Sequence, residues 1–552
     1  MAASTVEITG GLDASRARAA REAALLPEPH SLHSGGGSSF GFLRSASKVQ
    51  LAVALTPVVC SVIALALAIT ALAEAASRHA SSAAPAPAPA LKRLPATPAG
   101  VNLGGWLCLE DWFYSGSGGR YVMTHQPAGQ GACLPPALPR APEPWPSEGI
   151  LTKRLNDSEG ADAAAAALAA HRHSFISNSD LENIAELGIQ KVRLPLTWAA
   201  FADALKPIDA GVYGAHDPDK DTVIVPDPFY AGTTAWATIP RNWLKEFLHR
   251  AADNHLQILF DLHAFPAGSS DGTYSGVWPA KPMFWTEKSS IGNRSVALSE
   301  TGLWVAKALI SWLEALDERA LSAVAGVSLM NEPAHMAATD AKDPAKAFAS
   351  ESDVLAWLEA SSQLFRASSL PGRGKRLYMQ IIETAFKDFD GTVIPWFNRV
   401  FSAQEQSSWA VIDRHWYIAW NPVCDGRTQD GGGYLCDQPL DEVRSTARTC
   451  VRNFTEDFAK KFHGLKATSE FSVGTYQDAW FACNDKSTLG IFLEEQISAF
   501  GDAGIEPFFW SWRMPYGPVF EPGWSLKRLA GFEDHPPAEQ CLQPPSSEAA
   551  FV

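Results

Sequence analysis

The strongest constraint in this 552-residue chain is a repeated switch of hydrophobic period. Short apolar runs of strand length alternate with longer amphipathic stretches of helical period. The runs are Gly100–Leu107, Gln190–Trp198, Leu256–Ala264, Val324–Asn331, Arg376–Thr384, Trp409–Tyr417, Leu465–Val473 and Ile505–Trp512. The helical stretches are Ser179–Leu187, Asn242–Asn254, Gly302–Arg319, Asp353–Ser368, Asp441–Phe462 and Thr488–Ala503, with Ser179 and Asp180 as candidate caps of the first. A helix between two strands carries the chain back across the sheet, so the alternation implies parallel pairing. Eight such strands imply an α/β fold, a closed (β/α)8 TIM barrel. One long insertion, Tyr114–Ala170, follows the first strand. Its Gly/Pro-rich start and Ala-rich end read as a decorated loop over one face of the barrel.

In such a barrel the chemistry lies at the C-terminal strand ends. Strand four ends in Asn331-Glu332-Pro333, where a Pro stops the run and leaves an amide and a carboxyl at its tip. Strand two carries Arg193, strand three ends in Asp261-Leu262-His263, and strand six ends in His415-Trp416-Tyr417. Strand seven carries Glu470, and strand eight ends in Trp510-Ser511-Trp512. Singly, each has a structural explanation: a core histidine, a buried ion pair, a surface carboxylate, a packed tryptophan. Together they set two carboxyls, Glu332 and Glu470, across a barrel mouth, the arrangement of glycoside hydrolysis. A carboxyl beside an apolar strand end is disfavoured as an anion, which makes Glu332 the expected acid/base. Glu470 is the expected nucleophile, held ionised by Arg193 and Tyr417. Asn331 is placed to bind a sugar hydroxyl beside the reacting carbon. His263 and His415 can orient carboxylates or bind hydroxyls, and Trp510 can form a stacking floor. A metal reading would draw on His263, Glu332 and His415. HEXXH is absent, however, and the first strand lacks the HxH of a barrel metallohydrolase, so no metal or cofactor is expected.

Hydrophobic residues at 46% and charged ones at 19% suit a globular protein with a large core. A net charge of −15 argues against a basic nucleic-acid-binding face, so no such partner is expected. Leu51–Ala73 (LAVALTPVVCSVIALALAITALA) carries no charge and is long enough to span a bilayer as a helix. It is longer, and starts later, than a cleaved signal peptide. Arg44 and Lys48 precede it, whereas Glu74 and Arg78 cancel after it, so the positive-inside rule places the N-terminus in the cytosol. The expectation is a single-pass type II membrane protein with its barrel extracellular or lumenal. Residues 1–47 are then a disordered cytosolic tail, 48–74 the signal-anchor helix and 75–98 a Pro/Ala-rich linker; 99–535 form the catalytic barrel and 536–552 a C-terminal tail. Sequons at Asn156, Asn293 and Asn453 all follow the apolar segment. Of eight Cys, Cys60 lies inside that segment and no CxxC occurs. In an oxidising compartment Cys424–Cys436 and Cys450–Cys483 are the expected local bridges.

At this point the residues resemble a family. GVNLGGWLCLEDW (Gly100–Trp112) is similar to the opening of fungal-type exo-β-1,3-glucanases of glycoside hydrolase family 5. His173–Ile176 with Asp180, VRLPLTW (Val192–Trp198) and FDLHAFPAGSSDGTYSG (Phe260–Gly276) resemble their next blocks, and LMNEPA, RHWYIAW and FFWSWRM follow in family order. The resemblance runs over roughly Pro98–Arg528. It implies a retaining mechanism with Glu332 as acid/base and Glu470 as nucleophile, and a first glucose subsite of Arg193, His263, Asn331, His415, Tyr417 and Trp510. Three features depart from the pattern. The nucleophile's Gly-Glu-Trp-Ser context is Ser469-Glu470-Phe471-Ser472 here, the Asp-Leu-His loop is altered, and Tyr114–Ala170 is long. The expected function is a retaining hydrolase of β-glucosidic bonds, exo-acting on β-1,3-glucan to release glucose. The alternatives are a family 5 enzyme on other β-glucosides, such as glycolipid or β-1,4-glucan, and a non-catalytic glycan-binding barrel.

The apolar segment yields a direct test. Full-length protein should stay with the membrane pellet after an alkaline carbonate wash, and a variant lacking Leu51–Ala73 should move to the supernatant. Full-length protein that washes off would overturn the anchor.

Overall fold

Period-2 runs bounded by helices fold here into a closed parallel barrel. The computed structural model describes residues 93–114, 145–334, 348–381, 389–420, 435–474, 483, 485–514 and 523–532. Its barrel strands are β1 (Gly100–Asn102), β2 (Lys191–Thr197), β3 (Gln257–Ala264), β4 (Val324–Ser328), β5 (Arg376–Gln380), β6 (Ala410–Asp413), β7 (Leu465–Ser472) and β8 (Ile505–Phe509). Each pairs in parallel with the next, and β8 pairs with β1, which closes the barrel. All eight expected strands form. The first is shorter than expected: the chain turns after Asn102, and Gly105 takes φ +68 where a Cβ would strike Phe113. A short extension, Trp416–Tyr417, pairs separately with the end of β7.

The pleat sorts the strand residues into two cores. Leu259, Ala325, Tyr378, Val411, Ala467 and Phe508, from six different strands, form one apolar cluster. That cluster fills the barrel interior. Their neighbours Ile258, Phe260, Val324, Leu377, Ile412 and Phe509 belong to a second core with the helices. The helices are Asn178–Glu186, Arg241–Asp253, Leu298–Glu314, Glu351–Arg366, Leu440–Lys461 and Lys486–Asp502. The first is capped by Ser177, not by Ser179 or Asp180. Asp180 instead occupies the third helical position and completes a capping box. The stretch expected as one helix over Gly302–Arg319 breaks after Glu314 and restarts at Glu318 under an Asp317 cap.

The insertion needs correction. Its described part holds two helices, Glu148–Glu159 and Ala161–Phe175, where a decorated loop was expected. Five consecutive Ala residues favour helix. Leu151, Leu155, Ala164 and Leu168 pack with Phe113, Trp145 and Trp510 over the barrel mouth. A buried ion pair ties this layer down. Arg172 lies 4.0 Å from Glu148, and Glu148 Oε2 accepts the backbone N–H of Leu109 at 2.6 Å. Arg172 also donates to the carbonyls of Thr238 and Ala237, whereas its own carbonyl accepts Trp106 Nε1–H. Burial pushes the Glu148 carboxyl up to about 7, against the pull of Arg172 and of the Leu109 N–H.

The disulfide expectation is also corrected. Cys436 bonds to Cys483, with Cα atoms 5.6 Å apart, so neither Cys424–Cys436 nor Cys450–Cys483 forms. Cys450 is itself disulfide-bonded, and Cys108 is a buried free thiol. Parallel strands bring successive loops to the same end of the barrel, so Cys436 after β6 meets Cys483 after β7 across 47 residues. Sequence proximity was the wrong guide. Among the described residues no helix is long and apolar enough to cross a membrane. The expected anchor at Leu51–Ala73 lies outside the described residues, as do most of the linker and the C-terminal tail.

Arg172→Ala would leave Glu148 buried beside a vacancy. Breaking such a pair costs about 3–5 kcal/mol, so the urea midpoint should fall by that equivalent. An unchanged midpoint would show that the insertion is held by apolar packing alone.

Candidate active site

The same alternation that builds the interior core carries polar groups to its upper end. Val101, Val192, Leu194, Phe260, Leu262, Leu377, Met379 and Ile412 face the helices. Their neighbours Asn102, Arg193, Asp261, His263, Gln380 and Asp413 therefore face inward. Glu470 needs one further device. The pairing of β7 with β8 shifts register between Thr468 and Phe471. This bulge sends Phe471 outward against Phe500 and Phe509 and leaves Ser469 and Glu470 both directed into the site.

The residues read from sequence converge. Arg193 is fully buried and donates from Nη1 to Glu470 Oε1 at 2.5 Å and to Asn102 Oδ1 at 2.9 Å. From Nη2 it reaches Asn331 Oδ1 at 2.7 Å and Asp261 Oδ2 at 3.0 Å. Tyr417 OH donates to Glu470 Oε2 at 2.6 Å. His415 Nδ1 lies 2.8 Å from Glu332 Oε1 and 3.3 Å from Glu470 Oε2, so the ring stands between the two carboxyls. One oxygen from each carboxyl and one ring nitrogen of His415 all fall within 4.8 Å of one another. His263 Nδ1 pairs with Asp261 Oδ2 at 2.7 Å, and its ring stacks on Trp510 with centroids 5.7 Å apart. Trp510, expected as an open stacking floor, thus has one face against a histidine and is only 3% exposed.

Glu332 sits in a strained turn. Its φ is +39, a region unfavourable to residues with a Cβ. Two bonds hold it there: its N–H donates to Gln380 Oε1, and its carbonyl accepts Ser270 Oγ–H.

The electrostatics follow from the contacts. Burial works against the Arg193 charge, but Asp261 and Glu470 raise its pKa above the ordinary arginine value. Burial would raise Asp261, yet Arg193 and then His263 hold it below the ordinary aspartate value. Burial lowers His415, and Glu470 followed by the bond to Glu332 more than reverse this. His263 is likewise raised, burial being outweighed by Asp261 and Glu110. Burial and Glu470 push the Tyr417 phenol well up, so it remains a donor. Glu332, His415 and Glu470 lie close enough to share a cation. Glu470, however, already accepts from Arg193 and Tyr417, and the adjacent guanidinium opposes a second positive charge.

Among the residues at the site that escaped the sequence reading as site residues are Asn102, Glu110, Ser270, Gln380, Asp413 and Ser469. Glu110 Oε1 lies 3.8 Å from His263 Nε2. Asn102, Gln380 and Asp413 are each a polar residue ending an apolar strand on its inward parity, a signal present in the sequence.

No family model matches the chain. It is 29% identical over 175 residues to a protein named glucan 1,3-beta-glucosidase 1 from Schizosaccharomyces pombe, covering 31% of this chain and 30% of that one. A probable glucan 1,3-beta-glucosidase A from Aspergillus niger is 27% identical, with 40% of each chain covered. The chain thus spans less than half the length of these two relatives. A glucan 1,3-beta-glucosidase from Blumeria graminis is 22% identical over 76% of this chain and 83% of its own. Among solved structures, a rutinosidase from Aspergillus niger shares the fold at TM-score 0.50 and 15% identity, covering 79% of this chain and 96% of that one. All of these names denote glycoside hydrolases.

The raised histidines set a pH dependence. Folded His263 and His415 hold their protons more tightly than the unfolded chain, whose histidines titrate near 6.5. Their contribution is complete below that value and lost as pH rises through the folded values. Urea midpoints should therefore fall from about pH 6.5 upward, with a shallower slope in His263→Gln. A flat profile in the parent protein would contradict these shifts.

Proposed function

We propose that this chain is a retaining β-glycoside hydrolase of the family 5 type, exo-acting on β-1,3-glucan and releasing glucose. The observation that carries the reading is the close approach of two carboxyls at a barrel mouth, with oxygens within 4.8 Å, one of them gripped by a buried arginine and a tyrosine. A spacing of about 5–5.5 Å suits direct attack on the sugar, whereas an inverting enzyme leaves roughly 6.5–9.5 Å for a water. Glu332 donates a proton to the departing oxygen while Glu470 attacks the anomeric carbon. The glycosyl-enzyme ester is then hydrolysed by a water that gives its proton to Glu332. Arg193 and Tyr417 each bind one Glu470 oxygen and so fix the carboxyl for attack. Arg193 holds Asn331 by its carbonyl oxygen and the amide nitrogen lies 3.5 Å from His263 Nε2, which leaves one amide N–H for a hydroxyl beside the reacting carbon. His263 and Trp510 wall the same subsite. Two carboxyls complete this chemistry without a cofactor.

The β-1,3 linkage draws support from the names of the relatives and from the sequence blocks shared with exo-glucanases. The apolar segment Leu51–Ala73 and its flanking charges support a type II anchor with the barrel outside the cytosol.

Glu470→Gln should lower turnover of laminarin by roughly 10³-fold or more while leaving the fold intact. Most activity remaining would remove Glu470 as nucleophile. NMR of the first product should show the β-anomer; an α-product would mean inversion. Faster turnover of a glucosylated lipid or a β-1,4-glucan in the same panel would move the substrate but keep the mechanism. No turnover of any glycoside would favour a glycan-binding barrel.

A further inference from the structure

We propose that Ser469 and Asp413 are positioning residues that fix the tautomer of His415 and so hold the acid proton on the line between His415 Nδ1 and Glu332 Oε1. The inference rests on the glycosidase reading above. Ser469 is wholly buried on the β7 bulge, one residue before Glu470. Its backbone N–H donates to Asp413 Oδ1 at 2.8 Å, and its hydroxyl donates to Asp413 Oδ2. A serine hydroxyl has one proton, and a carboxylate only accepts, so that proton is committed to Asp413. The Ser469 oxygen can then only accept, and His415 Nε2 lies 3.1 Å from it. Nε2 must carry the hydrogen. In the neutral imidazole this leaves Nδ1 as the bare nitrogen, and Nδ1 faces Glu332 Oε1 at 2.8 Å.

Glu332 and His415 share one proton in the acid-competent state. It can be described as carboxylic acid with neutral imidazole, or as carboxylate with imidazolium, and the pair titrates as a unit. In both descriptions the proton lies between Oε1 and Nδ1. The opposite tautomer would place a hydrogen on Nδ1 with the acid still protonated, and the two donors would collide. Ser469 excludes it. Groups from three strands surround the ring. Glu332 comes from the end of β4, Gln380 from β5, and Ser469 and Glu470 from β7. Asp413 stands behind Ser469, while Arg193 and Asp261 lie one contact further, through Glu470. Gln380 accepts the Glu332 N–H with its oxygen and sets its amide nitrogen 2.9 and 2.7 Å from the two ring nitrogens. An atom so nearly equidistant from both ring nitrogens lies along the in-plane bonding direction of neither, so this amide holds Glu332 through its backbone and does not choose the tautomer.

Two variants separate this role from simple packing. Ser469→Ala removes only the hydroxyl. Asp413→Asn keeps the shape but offers an N–H to Ser469 Oγ, which turns the serine proton toward Nε2 and selects the other tautomer. The measurement is kcat/KM against pH on a β-glucan oligosaccharide and on a dinitrophenyl β-glucoside, whose leaving group departs without protonation. On the oligosaccharide both variants should lose about tenfold or more, Asp413→Asn the more, and the alkaline limb should move to lower pH. On the dinitrophenyl substrate the loss should be no more than about twofold. Equal losses on both substrates with an unmoved limb, or no loss, would overturn the relay, and Asp413→Asn alone decides if Ser469→Ala does not fold. Parent enzyme inactive on both substrates would instead overturn the glycosidase reading.

Discussion

A guanidinium with no exposed surface sits at the upper end of the barrel, and the site is arranged around its charge. Arg193 on β2 touches Asn102 of β1, Asp261 of β3, Asn331 at the end of β4 and Glu470 of β7. Taking such a charge out of water costs several kcal/mol, and only close anions and oriented carbonyls offset it. Its planar fork meets four oxygens in fixed directions, which an ammonium on a flexible stem does not do. Strand register, amide orientation and the position of Glu470 are therefore set by one side chain. Asn102 extends the arrangement by donating to the carbonyls of Ser469 and Phe509, so β1 helps hold the bulge of β7.

The layer above the barrel obeys similar physics with less charge. Glu148 and Arg172 join the two insertion helices to the loop after β1, and that loop carries Glu110 toward His263. The Cys436–Cys483 bond ties two loops at the same end. Glu148 of the first tie lies in the long insertion, one of the places where the chain departs from the fungal exo-glucanase pattern.

The barrel was legible because each strand is an apolar run with a sharp polar end, and because helical stretches intervene. The convergence of the eight candidate residues was legible for the same reason: an isolated Arg, His, Asn or Glu at the tip of an apolar run has few structural uses. Gln380 and Asp413 carried that signal too, but an amide and an aspartate at strand ends look like ordinary caps. Ser469 was hidden because its role depends on a bulge, and no residue between Thr468 and Phe471 is a Gly that would mark one. The insertion helices were misread because a low-complexity Ala run has no strong amphipathic pattern; they are held by Trp and Leu contacts to distant segments. Cysteine pairing failed for a topological reason, since a barrel makes neighbours of loops that are far apart in sequence.

The left-handed backbone of Glu332 has a consequence for how this position can change. Only glycine, and to a lesser degree asparagine or aspartate, rests comfortably at φ +39. A glutamate there is held by bonds from Gln380 and Ser270 against its own conformational preference. Drift toward glycine or asparagine would relax the chain at the moment it discarded the carboxyl. On the proposed glycosidase reading, thermal robustness and acid chemistry pull this one codon in opposite directions, and a descendant freed from the need to hydrolyse would be drawn there first.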